Sequence, residues 1–153
     1  MVAPIEAIIE IDASPADVWR IVSDQRRMNE WSTEMLKQKF FGDGIGLGTR
    51  SINLNKRKGF VWPTASKITE FVPDRKIAFY VTGSSAFWSY ELEPTEAGTR
   101  LIERRELKGG KRSVLSKVTA RVALGGIDGH DVELFEGMNK TLERIRAEAE
   151  GVA

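Results

Sequence analysis

Between Asp128 and Glu150, apolar residues return at Val132, Phe135, Met138, Leu142, Ile145 and Ala149, in steps of three or four. That is the period of one face of an α-helix. Asp131, Glu133, Glu136, Lys140, Glu143, Arg144, Arg146 and Glu148 fill the rest of the circumference. A helix of this length runs ~35 Å at 1.5 Å per residue, about the width of a small domain. From Thr33 to Leu107 the pattern is that of strands instead. One long terminal helix with a single greasy stripe, preceded by a run of strands, points to a sheet curling around a helix. Such a sheet can leave a cavity between itself and the helix.

The chain upstream supplies the pieces in order. Ile5 to Ile11 alternates as a half-buried strand does. Ser14-Pro15-Ala16-Asp17 is a helix start, with a capping serine, a proline at the first helical position and an acid where a capping box places one. Val18, Trp19, Ile21 and Val22 give that helix its buried side. A second short helix is expected from Ser23 or Asp24 to Glu30, anchored by Met28 and Trp31. Six strands follow: 35–41, 49–55, 60–71, 77–82, 87–92 and 99–107. Gly42, Gly44, Gly46 and Gly48 punctuate the first connection, and Lys56-Arg57-Lys58-Gly59 makes a tight basic turn. The glycine spacing lacks the wider gap of a dinucleotide fingerprint, and no helix follows it, so it reads as a turn between strands. Pro63 calls for an edge position or a bulge. A weaker amphipathic helix is expected over 113–124, ending at Gly125-Gly126.

Composition narrows the function classes. The chain has 153 residues, 41% hydrophobic and 29% charged, and reads as a single domain over 1–153. Its net charge of +1 gives no global pull toward nucleic acid. Cysteine is absent, which removes disulfides, thiolate nucleophiles and cysteine metal sites. No secretory signal is visible, because Glu6, Glu10 and Asp12 interrupt the first apolar stretch. No segment is long and apolar enough to span a bilayer. A cytoplasmic location is expected by default.

The ordered pieces resemble the START/Bet v 1-like (SRPBCC) superfamily, in particular its polyketide cyclase/dehydrase-like and lipid-transfer-like bacterial members. The residues that carry the resemblance are Ile11-Asp12-Ala13-Ser14-Pro15-Ala16-Asp17-Val18-Trp19, Trp31-Ser32, the Gly42–Gly48 turn, Val72-Pro73-Asp74-Arg75-Lys76-Ile77-Ala78-Phe79, Trp88-Ser89-Tyr90-Glu91-Leu92-Glu93-Pro94 with Gly98-Thr99, and Gly137-Met138 with Thr141-Leu142 and Ile145. The resemblance covers nearly the whole chain. It implies an α+β helix-grip fold: a curved antiparallel sheet around the C-terminal helix, two short helices after the first strand, and an apolar ligand cavity. It does not choose a function, because the superfamily hosts carriers, receptors and cyclases.

Few residues offer catalytic chemistry. His130 is the sole histidine, so no histidine-rich metal site can form; no Gly-x-Ser-x-Gly nucleophile motif occurs, and no metal or cofactor is expected. His130 would act as an acid or base only if it faced the cavity; otherwise it is a solvated residue of the helix start. Glu103 and Arg105 share a strand side with Leu101 and Leu107, and are either a paired polar patch in the cavity or surface charges. Aromatics are the stronger lead. Trp31, Phe41, Phe60, Trp62, Phe79, Trp88, Tyr90 and Phe135 either fill a core or line a pocket for a flat or greasy ligand. Met138 on the helix stripe belongs with them.

The segment Thr49 to Asn55 has one stripe of Thr49, Ser51, Asn53 and Asn55 and another of Arg50, Ile52, Leu54 and Lys56. Burying hydroxyls and amides costs less than burying two cations, which favours the neutral polar stripe facing in. Ser51, Asn53 and Asn55 would then offer hydrogen bonds to a polar ligand head or to buried water.

Three functions compete. The first is a carrier or sensor of a small hydrophobic molecule such as a lipid, an isoprenoid or a polyketide-like aromatic. The second is a cyclase/dehydratase-type enzyme, acting mainly through shape and orientation, with Asn53, Asn55, Glu103, Arg105 and His130 as candidate groups. The third is a protein-interaction module using the basic run Lys108, Lys111, Arg112, Lys117 and Arg121, which also suggests transient contact with an anionic membrane surface. Carrier ranks above enzyme because no catalytic constellation is visible. Oligomeric state is open.

Overall fold

A computed structural model of the chain describes residues 4–27, 30, 35–42, 44–82, 85–107 and 127–151, with backbone alone at 26, 57 and 127–131. Strands β1 (Ile5–Ile11), β2 (Met35–Phe40), β3 (Arg50–Arg57), β4 (Phe60–Val72), β5 (Lys76–Val81), β6 (Ala86–Pro94) and β7 (Thr99–Leu107) form one antiparallel sheet in the order β1-β7-β6-β5-β4-β3-β2. Helix α1 (Pro15–Val22) follows β1, and the long helix α2 (Ile127–Ala149) follows the sheet. The sheet curves around α2, which packs against β1 and α1. This is the helix-grip arrangement. Irregular pairing between Met35 and Lys37, and between Ile68 and Glu70, supplies the local twist that a curved sheet needs.

Local chemistry explains the joints. Ser14 accepts a hydrogen bond from the Asp17 amide at 3.2 Å and caps α1, with Pro15 in its first turn. Of the second short helix the described residues hold a 3-10 turn over Gln25–Arg27 and a helical Glu30. Lys58 and Gly59 close the β3–β4 hairpin with φ of 51° and 81°, the paired positive values that suit a two-residue turn between twisted strands. Pro63 lies in the part of β4 that pairs with β3 alone, so its missing N–H breaks no second ladder. At Gly98 (φ 154°) a Cβ would stand 2.4 Å from the Ile11 carbonyl oxygen, so only glycine lets this turn approach the end of β1.

The core lies between α1, α2 and the β1–β7–β6 half of the sheet. Ile11, Val18, Val22, Ile77, Leu92, Leu101, Leu142 and Ile145 are among its fully buried side chains. Each contributes roughly 1.5–3 kcal/mol through removal from water. On α2 the structure corrects the expected stripe. Met138, Leu142 and Ile145 are buried, but Val132 is 61% exposed and Leu134 is buried in its stead. The reason is helix geometry. Three residues fall about 60° short of a turn, so two successive steps of three carry Val132 some 120° away from Met138. Leu134 lies four residues before Met138 and only about 40° from it. No helix among the described residues is long and apolar enough to cross a membrane. The helix expected over 113–124 lies outside the described residues.

Candidate functional site

β3 presents its sides in an inverted order. Ser51 and Asn53 face inward and are buried, whereas Ile52 is 51% exposed beside Arg50 and Lys56. The cross-strand register extends the inward stripe. Ser51 stands opposite Ser66, Asn53 opposite Thr64, and Gln38 opposite Asn53. Hydrogen bonds tie the group together. The Ser51 hydroxyl donates to Asn53 Oδ1 at 2.9 Å and shares a 2.5 Å bond with the Ser66 hydroxyl. Asn53 Nδ2 donates to Thr64 Oγ1 at 3.2 Å and Ser66 Oγ at 3.4 Å. Asn55 Nδ2 donates to Thr64 Oγ1 at 3.0 Å and to the Trp62 carbonyl at 3.3 Å. Gln38 Nε2 reaches Ser51 Oγ at 3.5 Å, while its buried Oε1 has no hydrogen-bond partner among the described residues. The result is a ladder of neutral donors and acceptors across β2, β3 and β4, with no ionised group in it.

Next to the ladder the inward surface turns apolar. Ile68, Phe79 and Trp88 form a row across β4, β5 and β6. Phe79 and Trp88 are half-buried against the core. Trp62, opposite Asn55, is half-buried and stacks on Phe60 with ring centroids 5.8 Å apart. Lys58, at the tip of this hairpin, reaches Glu133 of α2 at 3.4 Å and brings the tip to the helix.

A second polar group sits on β6 and β7. Tyr90 and Glu103 face each other across the ladder, both buried, and the Tyr90 hydroxyl donates to Glu103 Oε2 at 3.0 Å. Burial disfavours the carboxylate and pushes Glu103 up to about 8, against the opposing pull of the tyrosine hydrogen bond. Burial likewise raises Tyr90 well above its usual value, helped by the neighbouring Glu103 charge. Glu103 Oε1 is buried with no hydrogen-bond partner among the described residues. Arg105, also buried, lies two residues further on the same side, opposite Trp88. Glu103 thus keeps its proton to a higher pH than an ordinary carboxyl does.

Of the residues singled out in the sequence, Ser51, Asn53, Asn55, Trp62, Phe79, Trp88, Tyr90, Glu103 and Arg105 share the inward side of the sheet, and Met138 is buried on α2. Phe41 does not join them. It is 48% exposed and lies on the outward side, its ring 6.0 Å from the Lys39 ammonium. Phe40, opposite Ser51, is its inward neighbour, because strand side chains alternate. Phe135 is 44% exposed, at the flank of the buried helix stripe. Trp31, the His130 side chain and the basic run from Lys108 to Arg121 lie outside the described residues. Gln38, Thr64 and Ser66 were not legible as members of the site. Among the described residues no group of acids and histidines is placed to hold a metal ion.

The sequence pattern of the family described as polyketide cyclase / dehydrase and lipid transport matches residues 3–150. The chain belongs to this family. Among solved structures, the polyketide cyclase/dehydrase and lipid-transport fold seen here is similar to that of KanY protein, with a TM-score of 0.74 and 18% identity over 99% of each chain. It is also similar to the Polyketide_cyc-like protein Cgl2372 from Corynebacterium glutamicum, with a TM-score of 0.64 and 25% identity over 97% of this chain and 94% of that one. A third likeness is to the di-domain ARO/CYC StfQ from the steffimycin biosynthetic pathway, at a TM-score of 0.68 and 16% identity. It covers 97% of this chain and 50% of StfQ. No curated protein matches the chain.

Proposed function

We propose that this protein binds a small, mainly apolar molecule with a neutral polar end on the inward face of its sheet, as a carrier or sensor. The observation that carries this reading is the inverted polarity of β3. A strand that served only to close a core would turn Ile52 and Leu54 in and Ser51, Asn53 and Asn55 out. Here the apolar pair faces outward and the neutral polar stripe is inside. Neutral amides and hydroxyls fix the orientation of a ligand without the desolvation penalty of ions. Trp62, Phe79 and Trp88 supply the apolar surface beside them. The family's description, which joins cyclisation with lipid transport, supports a role of this kind.

Native mass spectrometry of freshly purified protein, followed by solvent extraction, tests the proposal. A reproducible adduct that extracts as a lipid or a hydroxylated aromatic is the expected result. An unmodified mass that gains nothing when such compounds are offered would contradict it.

A second reading, a cyclase/dehydratase-type enzyme, is favoured by one observation: Glu103 is buried on the inward face and accepts the Tyr90 hydroxyl, a setting in which burial pushes the acid up to about 8. Such a group can protonate a ligand carbonyl or a departing hydroxyl. On this reading Glu103→Gln abolishes turnover of a polyketide-like substrate while binding persists. Turnover that survives the substitution removes the reading and leaves the carrier.

A further inference from the structure

The outward side of the same three strands has its own pattern. Ile52 pairs with Ala65, Leu54 with Pro63, and Val61 with Lys56. The aliphatic side chains among them form an island whose backbone positions span about 14 Å along the strands and about 5 Å across them, from strand rise and strand spacing. Cations surround it. Lys37 and Lys39 flank it on β2, opposite Leu54 and Ile52. Arg50 and Lys67 face each other at one end, and Lys56 stands at the other. All five are exposed, and among the described residues none has an acidic partner. Ile52 and Val61 are 51% and 44% exposed. Phe41 extends the surface beside Arg50.

The other half of the outward face is different. Arg100 pairs with Glu10 and Glu93, and Arg104 with Glu6 and Glu106. Charges there are mixed and neutralised across strands. The contrast on one sheet needs a reason. Lysines on an exposed edge strand discourage edge-to-edge pairing, which accounts for Lys37 and Lys39. It does not account for Arg50, Lys56 and Lys67, which stand on the inner strands β3 and β4.

We propose that this face docks on an anionic membrane surface. Cations ringing an aliphatic island suit the boundary between lipid headgroups and acyl chains, with the long side chains reaching phosphates while the island enters the boundary. A second copy of the chain is disfavoured, because pairing two such faces sets cation against cation. Nucleic acid is a poorer fit: the island offers aliphatic side chains rather than a row of aromatic rings for stacking bases. The proposal stands apart from the ligand reading, since it uses the opposite side of the strands.

Vesicle co-sedimentation tests it, with phosphatidylcholine alone and with about one-third phosphatidylglycerol, at low and physiological salt. The variants are Lys39→Glu/Arg50→Glu/Lys67→Glu, the uncharged Ile52→Ser, and Lys140→Glu on exposed α2 as a control, each checked for folding by circular dichroism. Wild type should bind only the anionic vesicles, and less at higher salt. A basic residue near such a surface is worth about fivefold in partitioning, so the triple reversal should reduce binding by about 100-fold or more. Ile52→Ser should weaken binding several-fold, and Lys140→Glu should leave it nearly unchanged. The proposal is overturned if wild type ignores anionic vesicles, if the triple variant binds as wild type does, or if Lys140→Glu loses as much as the triple variant. Retention of a single-stranded oligonucleotide in place of vesicles would also overturn it.

Discussion

Tyr90 and Glu103 stand opposite each other on β6 and β7, and the tyrosine hydroxyl donates to the carboxyl at 3.0 Å with both side chains buried. The pair places an acid of unusual proton affinity on the inward face of the sheet, beside neutral polar groups, aromatic rings and the buried Arg105.

Stability should depend on pH through this acid. Glu103 titrates at about 8 in the folded protein against an ordinary 4.5, so the folded state binds its proton more tightly. Its contribution is therefore fully present below about 4.5 and is lost as pH rises toward about 8. Within that window the slope reaches about 1.4 kcal/mol per pH unit. Glu103→Gln removes the ionisation, so urea denaturation at pH 5, 6.5 and 8 should show a flatter dependence and a variant more stable than wild type at pH 8. An unchanged slope would show that Glu103 is not the titrating group.

Tyr90→Phe removes a hydrogen bond that lowers the Glu103 value, so the acid should titrate still higher. The carboxyl carbon shift of Glu103, followed by NMR against pH, reads this directly. A downward move contradicts the geometry.

Asn53→Leu should cost about 1–3 kcal/mol, because Ser51, Thr64 and Ser66 each lose a partner in a buried setting. Ile52→Ser, one residue away and outward, should stay within about 0.5 kcal/mol. Chemical denaturation of the two variants tests which side of β3 is inside. Equal effects contradict the inverted polarity.

The phase of α2 has its own test. Leu134→Ala should cost about 2–4 kcal/mol and Val132→Ala close to nothing, since the first is buried and the second exposed. The reverse order would restore the simple stripe read from the sequence.

Much of the fold was legible because the signals were local. Alternation marked β1, Ser14 and Pro15 marked α1, and turn residues separated the strands. The inward side of β3 was also legible, since burying Arg50 and Lys56 costs more than burying Ser51 and Asn53. The rest of the ladder was not, because it depends on pairing. Once the Lys58-Gly59 turn is placed, counting outward sets Asn53 against Thr64 and Ser51 against Ser66. Neither Thr64 nor Ser66 stands out in its own strand. Phe41 failed on parity: one residue of strand register decides which of Phe40 and Phe41 points inward. On α2 the apolar spacing drifted off the buried face over two steps of three, which no residue type reveals.

The most direct test of the central claim is an NMR titration of isotope-labelled protein with a small apolar naphthalene dye, followed residue by residue. The ligand reading predicts saturable shifts at Ser51, Asn53, Asn55 and Trp88, reduced by Asn53→Leu. Shifts that never saturate, or that gather at outward residues such as Ile52 and Lys67, would contradict a binding site on the inward face.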